Sequence, residues 1–333
     1  MILPQVVSTS QRWKVYALGG GLGHLNRALS VSRAATSRGH RVDILVNSRL
    51  APSIPWNEEI GPDSKLSMVS PSASPSETSQ AVSKWLQNGR FDRLVVDTFP
   101  RGLAGELPAY LNSIDIPKVL VHRKLNHEYV IKCDLASAVR RFDLILVPGE
   151  KAPFASEKNA RVTQPWLIRD SAELLTPCRS RIELGVDAGD HRPILVVCTT
   201  GQEREKRFFM DLAASLEALL PQWIVRTACI GSKSRGFSTW PLIRLLPGVS
   251  GLVGGGGYNL VNEARATNTP LLAFALPRRY DRQANRLCRN ERVRHLDEVV
   301  ERIVVREKVL CMPSYSNGVH DAVDLIERAQ SSD

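Results

Sequence analysis

The chain has 333 residues, a length that suits two domains of about 150 residues better than a single core. Its 43% hydrophobic and 23% charged content is that of a globular protein and excludes a disordered one. The formal charge of +10 calls for an anionic partner, but 6% aromatics without basic-aromatic interleaving argues against nucleic acid.

The first predicted strand, residues 14–18, runs into Gly19-Gly20-Gly21-Leu22-Gly23-His24. From Leu25 to Arg38 the apolar residues Leu25, Ala28, Leu29, Val31, Ala34 and Ala35 recur at helical spacing, and Gly39 supplies the stop. Residues 42–46 form the second strand, completing a βαβ unit. A dinucleotide cofactor would need a third small residue where His24 stands. It would also need an acid at the end of the second strand, where Asn47 and Ser48 stand. Both departures argue against that cofactor.

Residues 49–79 read as loops around one strand at 66–69. Then a helix at 77–88, a strand at 94–97, a helix at 103–111 and a strand at 118–121 alternate. A helix at 128–141 and a strand at 144–148 finish the first sheet. Continuous Val/Ile/Leu strands separated by helices predict a parallel sheet covered on both faces. After a weakly periodic crossover over 150–192, the pattern restarts with a strand at 193–198, the turn Thr199-Thr200-Gly201 and a helix at 205–220. A strand at 223–230 follows, and residues 250–253 then lead into Gly254-Gly255-Gly256-Gly257 and a helix. A strand at 271–274, an Arg-rich helix from about Asp281, and helices at 296–305 and 319–329 complete the chain.

The two glycine turns carry the chemistry. A glycine turn into a helix directs amides with no intrahelical partner at whatever lies above, and the helix end favours phosphate. Glu263, four residues after Asn259, shares its face and is placed to accept hydrogen bonds from sugar hydroxyls. His24, between a glycine turn and a helix, is placed to take a proton from an attacking hydroxyl, with Asp97 the next candidate base.

These residues resemble the GT-B glycosyltransferases, two Rossmann-like, doubly wound α/β domains facing each other across a cleft. The similarity is greatest to the MurG-like group, the undecaprenyl-pyrophosphoryl-muramoylpentapeptide N-acetylglucosaminyltransferases and their relatives. Gly20-Gly21-Leu22-Gly23-His24 resembles that group's N-terminal loop. Gly257-Tyr258-Asn259-Leu260-Val261-Asn262-Glu263 resembles its donor helix, which ends in a ribose-binding Glu. Asp281-Arg282-Gln283 resembles the Asp-x-Gln that closes on the donor sugar. Thr199-Thr200-Gly201-Gln202 stands where the family has a Gly-Gly-Ser turn.

The resemblance implies an acceptor domain at 1–168 and a donor domain at 169–333. It implies catalytic His24 and Asp97. Donor contacts would come from Gly20, Gly21, Gly23, Thr200, Gly201, Gly255, Gly256, Gly257, Tyr258, Asn259, Glu263, Asp281 and Gln283. The implied reaction is inverting transfer from a UDP-sugar to a hydroxyl acceptor, a lipid-linked one among the candidates. A nucleotide-sugar hydrolase or epimerase is the alternative within the fold, and a non-catalytic nucleotide-sugar regulator is a third reading.

No Asp-x-Asp pair or His cluster suggests a metal, so helix ends and arginines would meet the diphosphate charge. No cofactor is expected beyond the nucleotide-sugar co-substrate. No apolar run approaches the roughly 18 residues of a membrane span, and Met1 to Arg12 has no signal-peptide core. Six scattered cysteines read as reduced thiols. The expected location is therefore cytoplasmic, with the charge allowing peripheral contact with an anionic membrane.

Overall fold

A computed structural model describes residues 10–199, 202–230, 240–305 and 308–331. Two compact units divide the chain. The first comprises residues 1–51, 55–166 and 318–333, and the second 52–54 and 167–317.

The first unit holds β1 (Arg12–Ala17), β2 (Arg41–Val46), β3 (Lys65–Met68), β4 (Arg93–Asp97), β5 (Lys118–Val121), β6 (Leu144–Pro148) and β7 (Ala160–Thr163). They pair in parallel in the order β3-β2-β1-β4-β5-β6-β7. The connecting helices are α1 (Leu22–Thr36), α2 (Trp56–Ile60), α3 (Pro75–Gln87), α4 (Leu107–Leu111), α5 (His127–Lys132) and α6 (Leu135–Val139). Strand interiors are buried almost without break, as a sheet covered on both faces requires. Tyr16, Leu45, Val96, Leu120 and Ile145 meet Val82 and Trp85 of α3 in one core cluster.

Two predicted helices differ from expectation. The segment predicted at 128–141 breaks into α5 and α6, because Asp134 takes a left-handed conformation at φ 42°. The segment predicted at 103–111 is helical only over α4, because the positive φ of Gly102 and Gly105 bends the preceding loop.

The second unit repeats the plan with β8 (Ile194–Cys198), β9 (Ile224–Ala228), β10 (Gly251–Gly255), β11 (Leu271–Phe274) and β12 (Arg292–Val293), in the parallel order β12-β11-β10-β8-β9. Its helices are α7 (Pro177–Glu183), α8 (Glu203–Leu219), α9 (Tyr258–Ala266) and α10 (Leu296–Ile303). Phe209 and Leu216 of α8 pack with Leu195, Val253 and Leu272 of the strands. The expected Arg-rich helix after Asp281 is a single 3-10 turn at Gln283–Asn285, followed by irregular chain up to β12.

The final helix, α11 (Gly318–Arg328), corrects the expected boundary, since it belongs to the first unit. Arg38, just after α1, pairs with Asp324 and Glu327 of α11, and His40 Nε2 lies 2.7 Å from Glu327. Arg93 of β4 donates to the carbonyls of Ile326 and Glu327 at 3.0 Å each. Such bonds satisfy the open C-terminal end of the helix.

Candidate active site

Strand order in the first unit reverses between β1 and β4, and the carboxyl ends of strands at such a switch point are where ligands bind in doubly wound folds. The glycine turn leaves β1 there, and Asp97 is the last residue of β4. Helix α1 starts at Leu22 with Gly21 as its N-cap, three residues earlier than its apolar stripe predicts. His24 therefore sits in the first helical turn instead of ahead of it. Its Nδ1 lies 2.5 Å from Asp97 Oδ2.

Asp97 is almost fully enclosed. Arg27 reaches it with two parallel contacts, Nε to Oδ1 at 2.7 Å and Nη2 to Oδ2 at 2.8 Å, and the Thr98 hydroxyl donates to Oδ2 at 3.2 Å. Burial acts to raise the Asp97 pKa, but Arg27 and His24 outweigh it and hold the carboxyl well below the usual carboxylate range. This corrects Asp97 as a candidate base. It stands behind His24, ionised and spoken for, and orients the imidazole. Burial also presses the His24 pKa below its usual value, against the upward pull of Asp97 and with help from Arg27 and Arg123. Burial thus favours the neutral ring, with Nδ1 facing Asp97 and Nε2 turned away from it.

Three further features that the sequence reading did not single out hold this arrangement. A Cβ on Gly19 would stand 2.3 Å from both Cδ2 and Nε2 of His24, so only glycine leaves room for the ring. Phe99 stacks on the ring with centroids 5.4 Å apart and planes 23° from parallel. Thr98, between Asp97 and Phe99, has φ 70°, and the Phe99 amide donates to the Asp97 carbonyl at 2.8 Å. That is the strained form of the γ-turn, in a β-branched residue, with a cost of about 1–3 kcal/mol.

The first loop corrects another expectation. The amides of Gly19 and Gly20 both donate to Asn47 Oδ1 at 2.8 Å, so the Gly20 amide is spent on the protein itself and does not face a donor phosphate. Asn47 stands where a dinucleotide site would carry its acid, and here it clamps the turn. Gly21 is the N-cap of α1 and Gly23 lies in its first helical turn.

In the second unit the switch point falls between β8 and β10. Two of the four glycines, Gly254 and Gly255, belong to β10, and Gly257 caps α9. The Gly256 amide donates to the Phe274 carbonyl at 2.9 Å and the Gly257 amide to that of Gly255 at 2.8 Å. The amides of Gly256 and Gly257 are thus paired within the protein, which corrects these two as amide donors to phosphate. At Gly254 and Gly256 the part is steric, since a Cβ on Gly254 would meet Leu260 at 2.6 Å and one on Gly256 would meet Leu287 at 2.9 Å. The first-turn amides of Asn259 and Leu260 are the ones without intrahelical acceptors. Asn259 Oδ1 is buried without a hydrogen bond among the described residues.

Tyr258 is 3% exposed and Glu263 7%, on the inner side of α9. Burial raises the pKa of Cys198, at the end of β8, and the Glu263 charge adds to it, so the carboxylate stands close to that strand end. Asp281 and Gln283 turn to the protein. Arg286 holds Asp281 at 2.9 and 3.2 Å, and Gln283 Oε1 accepts the Leu276 amide at 3.0 Å. Both contacts lie within the loop after β11. Thr200 and Gly201 lie outside the described residues. Among the described residues no group of three or more His, Cys, Asp or Glu could hold a metal ion, and no helix is long and apolar enough to cross a membrane.

No protein-family model matches the chain. No curated protein matches it. Solved structures do match. The glycotransferase of kitacinnamycin superposes with TM-score 0.63 at 16% identity, covering 96% of this chain and 99% of its own. CalG4, the calicheamicin glycosyltransferase, gives 0.56 at 17% identity over 96% and 94%. The UDP-N-acetylglucosamine 2-epimerase from Rickettsia bellii gives 0.56 at 11% identity over 96% and 95%. Identities this low speak for the fold, and the fold is that of the GT-B glycosyltransferases: two Rossmann-like α/β domains, each built on a parallel sheet.

Proposed function

We propose that this protein is a glycosyltransferase that moves a sugar from UDP, or a related nucleoside diphosphate, to a hydroxyl acceptor without a metal and with inversion. The observation that carries the reading is the His24–Asp97 pair at the switch point of the first unit. In the step, the acceptor O–H gives its proton to His24 Nε2 while its oxygen bonds to the anomeric carbon. The bond from that carbon to the diphosphate oxygen breaks on the opposite face, and the nucleotide leaves with the electron pair. Asp97 keeps the ring oriented while Nε2 carries the proton. Glu263 and the first turn of α9 supply the nucleotide contacts.

The ligands of similar folds support this chemistry. One is an Arabidopsis thaliana UGT89C1 complexed with UDP-L-rhamnose, and another is the spinosyn rhamnosyltransferase SpnG complexed with spinosyn aglycone. The Gly-Leu-Gly-His and Gly-Tyr-Asn motifs favour a MurG-like, lipid-linked acceptor over a free aglycone. So do the exposed arginines 279, 282, 289, 292 and 294, which suit peripheral attachment to an anionic inner membrane surface from the cytoplasm.

A second reading is favoured by the epimerase likeness: hydrolysis or epimerisation of the nucleotide sugar with no acceptor. One experiment separates the two. Nucleotide sugars are screened by thermal shift, and nucleotide release from the best is followed with and without a lipid extract. Release that needs the extract and disappears in His24→Ala supports transfer; catalytic release without any acceptor supports the second reading and overturns transfer.

A further inference from the structure

Arg27 is 1% exposed, and its position three residues after His24 puts both side chains on one face of α1. Its contacts to Asp97 form a planar fork, the geometry that makes arginine more than a point charge. The same Nη2 accepts no proton but donates to Thr98 Oγ1 at 3.1 Å, and so reaches the residue that bears the γ-turn. It also lies 3.4 Å from His24 Nδ1.

The charges around the imidazole can be counted from every side. Asp97, at the end of β4, faces Nδ1; Arg27 flanks it on the same helix; Arg123, after β5, adds a second cation whose own partner is Glu150 at 3.0 Å. Phe99 and Gly19 cover the ring with apolar surface. A buried carboxylate facing a lone histidine pulls that histidine's pKa upward, toward the protonated form that cannot act as a base. Here the carboxylate is already matched by a fixed cation. Protonating His24 would leave a net positive charge in a site with little water to screen it.

We propose that Arg27 is a positioning residue for His24, clamping Asp97 against the imidazole and cancelling its charge so that the base stays unprotonated between turnovers. This rests on the reading of His24 as the base, and it adds why the Asp–His pair is built as a triad with arginine. Asp97 can then fix the tautomer without also capturing the proton. The fork explains the choice of arginine over lysine, because two parallel bonds hold both carboxylate oxygens while one edge of Oδ2 stays turned to His24.

The test uses the full-length protein with histidine labelled for NMR, comparing the parent with Arg27→Met and Arg27→Lys. The proposal expects the His24 ring to titrate below the ordinary histidine range in the parent. In Arg27→Met it should titrate about one pH unit or more higher, with Arg27→Lys between. The acid limb of kcat/KM should move in step, so that Arg27→Met loses most activity at low pH and recovers part of it at high pH. An unchanged His24 titration in a folded Arg27→Met or Arg27→Lys variant overturns the proposal. If neither variant folds, the parent decides, since a His24 that titrates above the ordinary range refutes a charge-cancelling arginine. The ring titration needs no substrate. A failure of the base reading would show instead as full turnover in His24→Ala, whatever the titration does.

Discussion

After β1, three glycines turn the chain so that a side chain, His24, reaches the end of β4; at the end of β10, a run of four glycines that begins within the strand turns it so that a helix end does the presenting. Both turns fold their glycine amides inward, onto Asn47 in one case and onto the Gly255 and Phe274 carbonyls in the other. The difference lies in what is left over. In the first unit it is a histidine with its carboxylate and arginine, which under the proposed function moves a proton. In the second it is the first turn of α9 with Glu263 behind it, which under the same proposal holds the nucleotide. Similar glycine-rich stretches thus lead into different local arrangements, set by the residues that follow the turn.

The largest expected effect breaks the first arrangement alone. His24→Ala should lower turnover by about 10²–10⁴, the usual worth of a general base, and leave nucleotide affinity near the parent value. Steady-state kinetics beside calorimetric nucleotide binding measure both halves; equal losses in the two would mean that the loops are not separable.

Gly19→Ala should come next, with turnover reduced by about 10², because the added methyl would displace the imidazole. Its neighbour serves as control. A Cβ at Gly21 meets nothing within 4 Å, so Gly21→Ala should stay close to parent. The double variant Gly19→Ala with His24→Ala should be no slower than His24→Ala. Further slowing would show that Gly19 acts on something other than the ring.

The second arrangement is tested by Glu263→Ala, expected to weaken nucleotide binding by about 1.5–3 kcal/mol, the range for a charge-assisted hydrogen bond. Calorimetry on a variant shown to be folded checks it. Unchanged affinity would assign Glu263 to packing near Cys198, and would remove the donor role from α9.

The smallest effect sharpens the contrast within the first unit. His122, after β5, is fully buried, and neither ring nitrogen has a hydrogen bond among the described residues. Burial lowers its pKa from 6.5 to about 4, with Glu150 pulling the other way. The unfolded chain then takes up the proton first on acidification. Stability is fully present above the unfolded value and is lost as pH falls through the folded one. Between about pH 7.5 and pH 5 the loss should be about 2 kcal/mol. His122→Leu should flatten that part of a denaturation-against-pH curve, and an unflattened curve would place the acid sensitivity elsewhere.

Much of this was readable from the chain alone. Buried parallel strands require near-continuous Val, Ile and Leu, so both sheets and the two-domain plan could be read from periodicity, as could the glycine turns and the candidates His24 and Glu263. These are local signals. Partners distant in sequence are not local. Asp97 lies 73 residues from His24 and Asn47 lies 27 from Gly20, and nothing in the spacing said that one would orient and the other clamp. The amides of Gly256 and Gly257, the side chains of Asp281 and Gln283, and the return of α11 to the first unit were likewise decided by tertiary packing. A buried donor or acceptor takes whichever partner the fold brings within reach, and sheet order, not sequence order, sets that reach. Arg27 stands between the two cases. Its spacing from His24 was visible, but its function became visible only once β1 and β4 lay side by side.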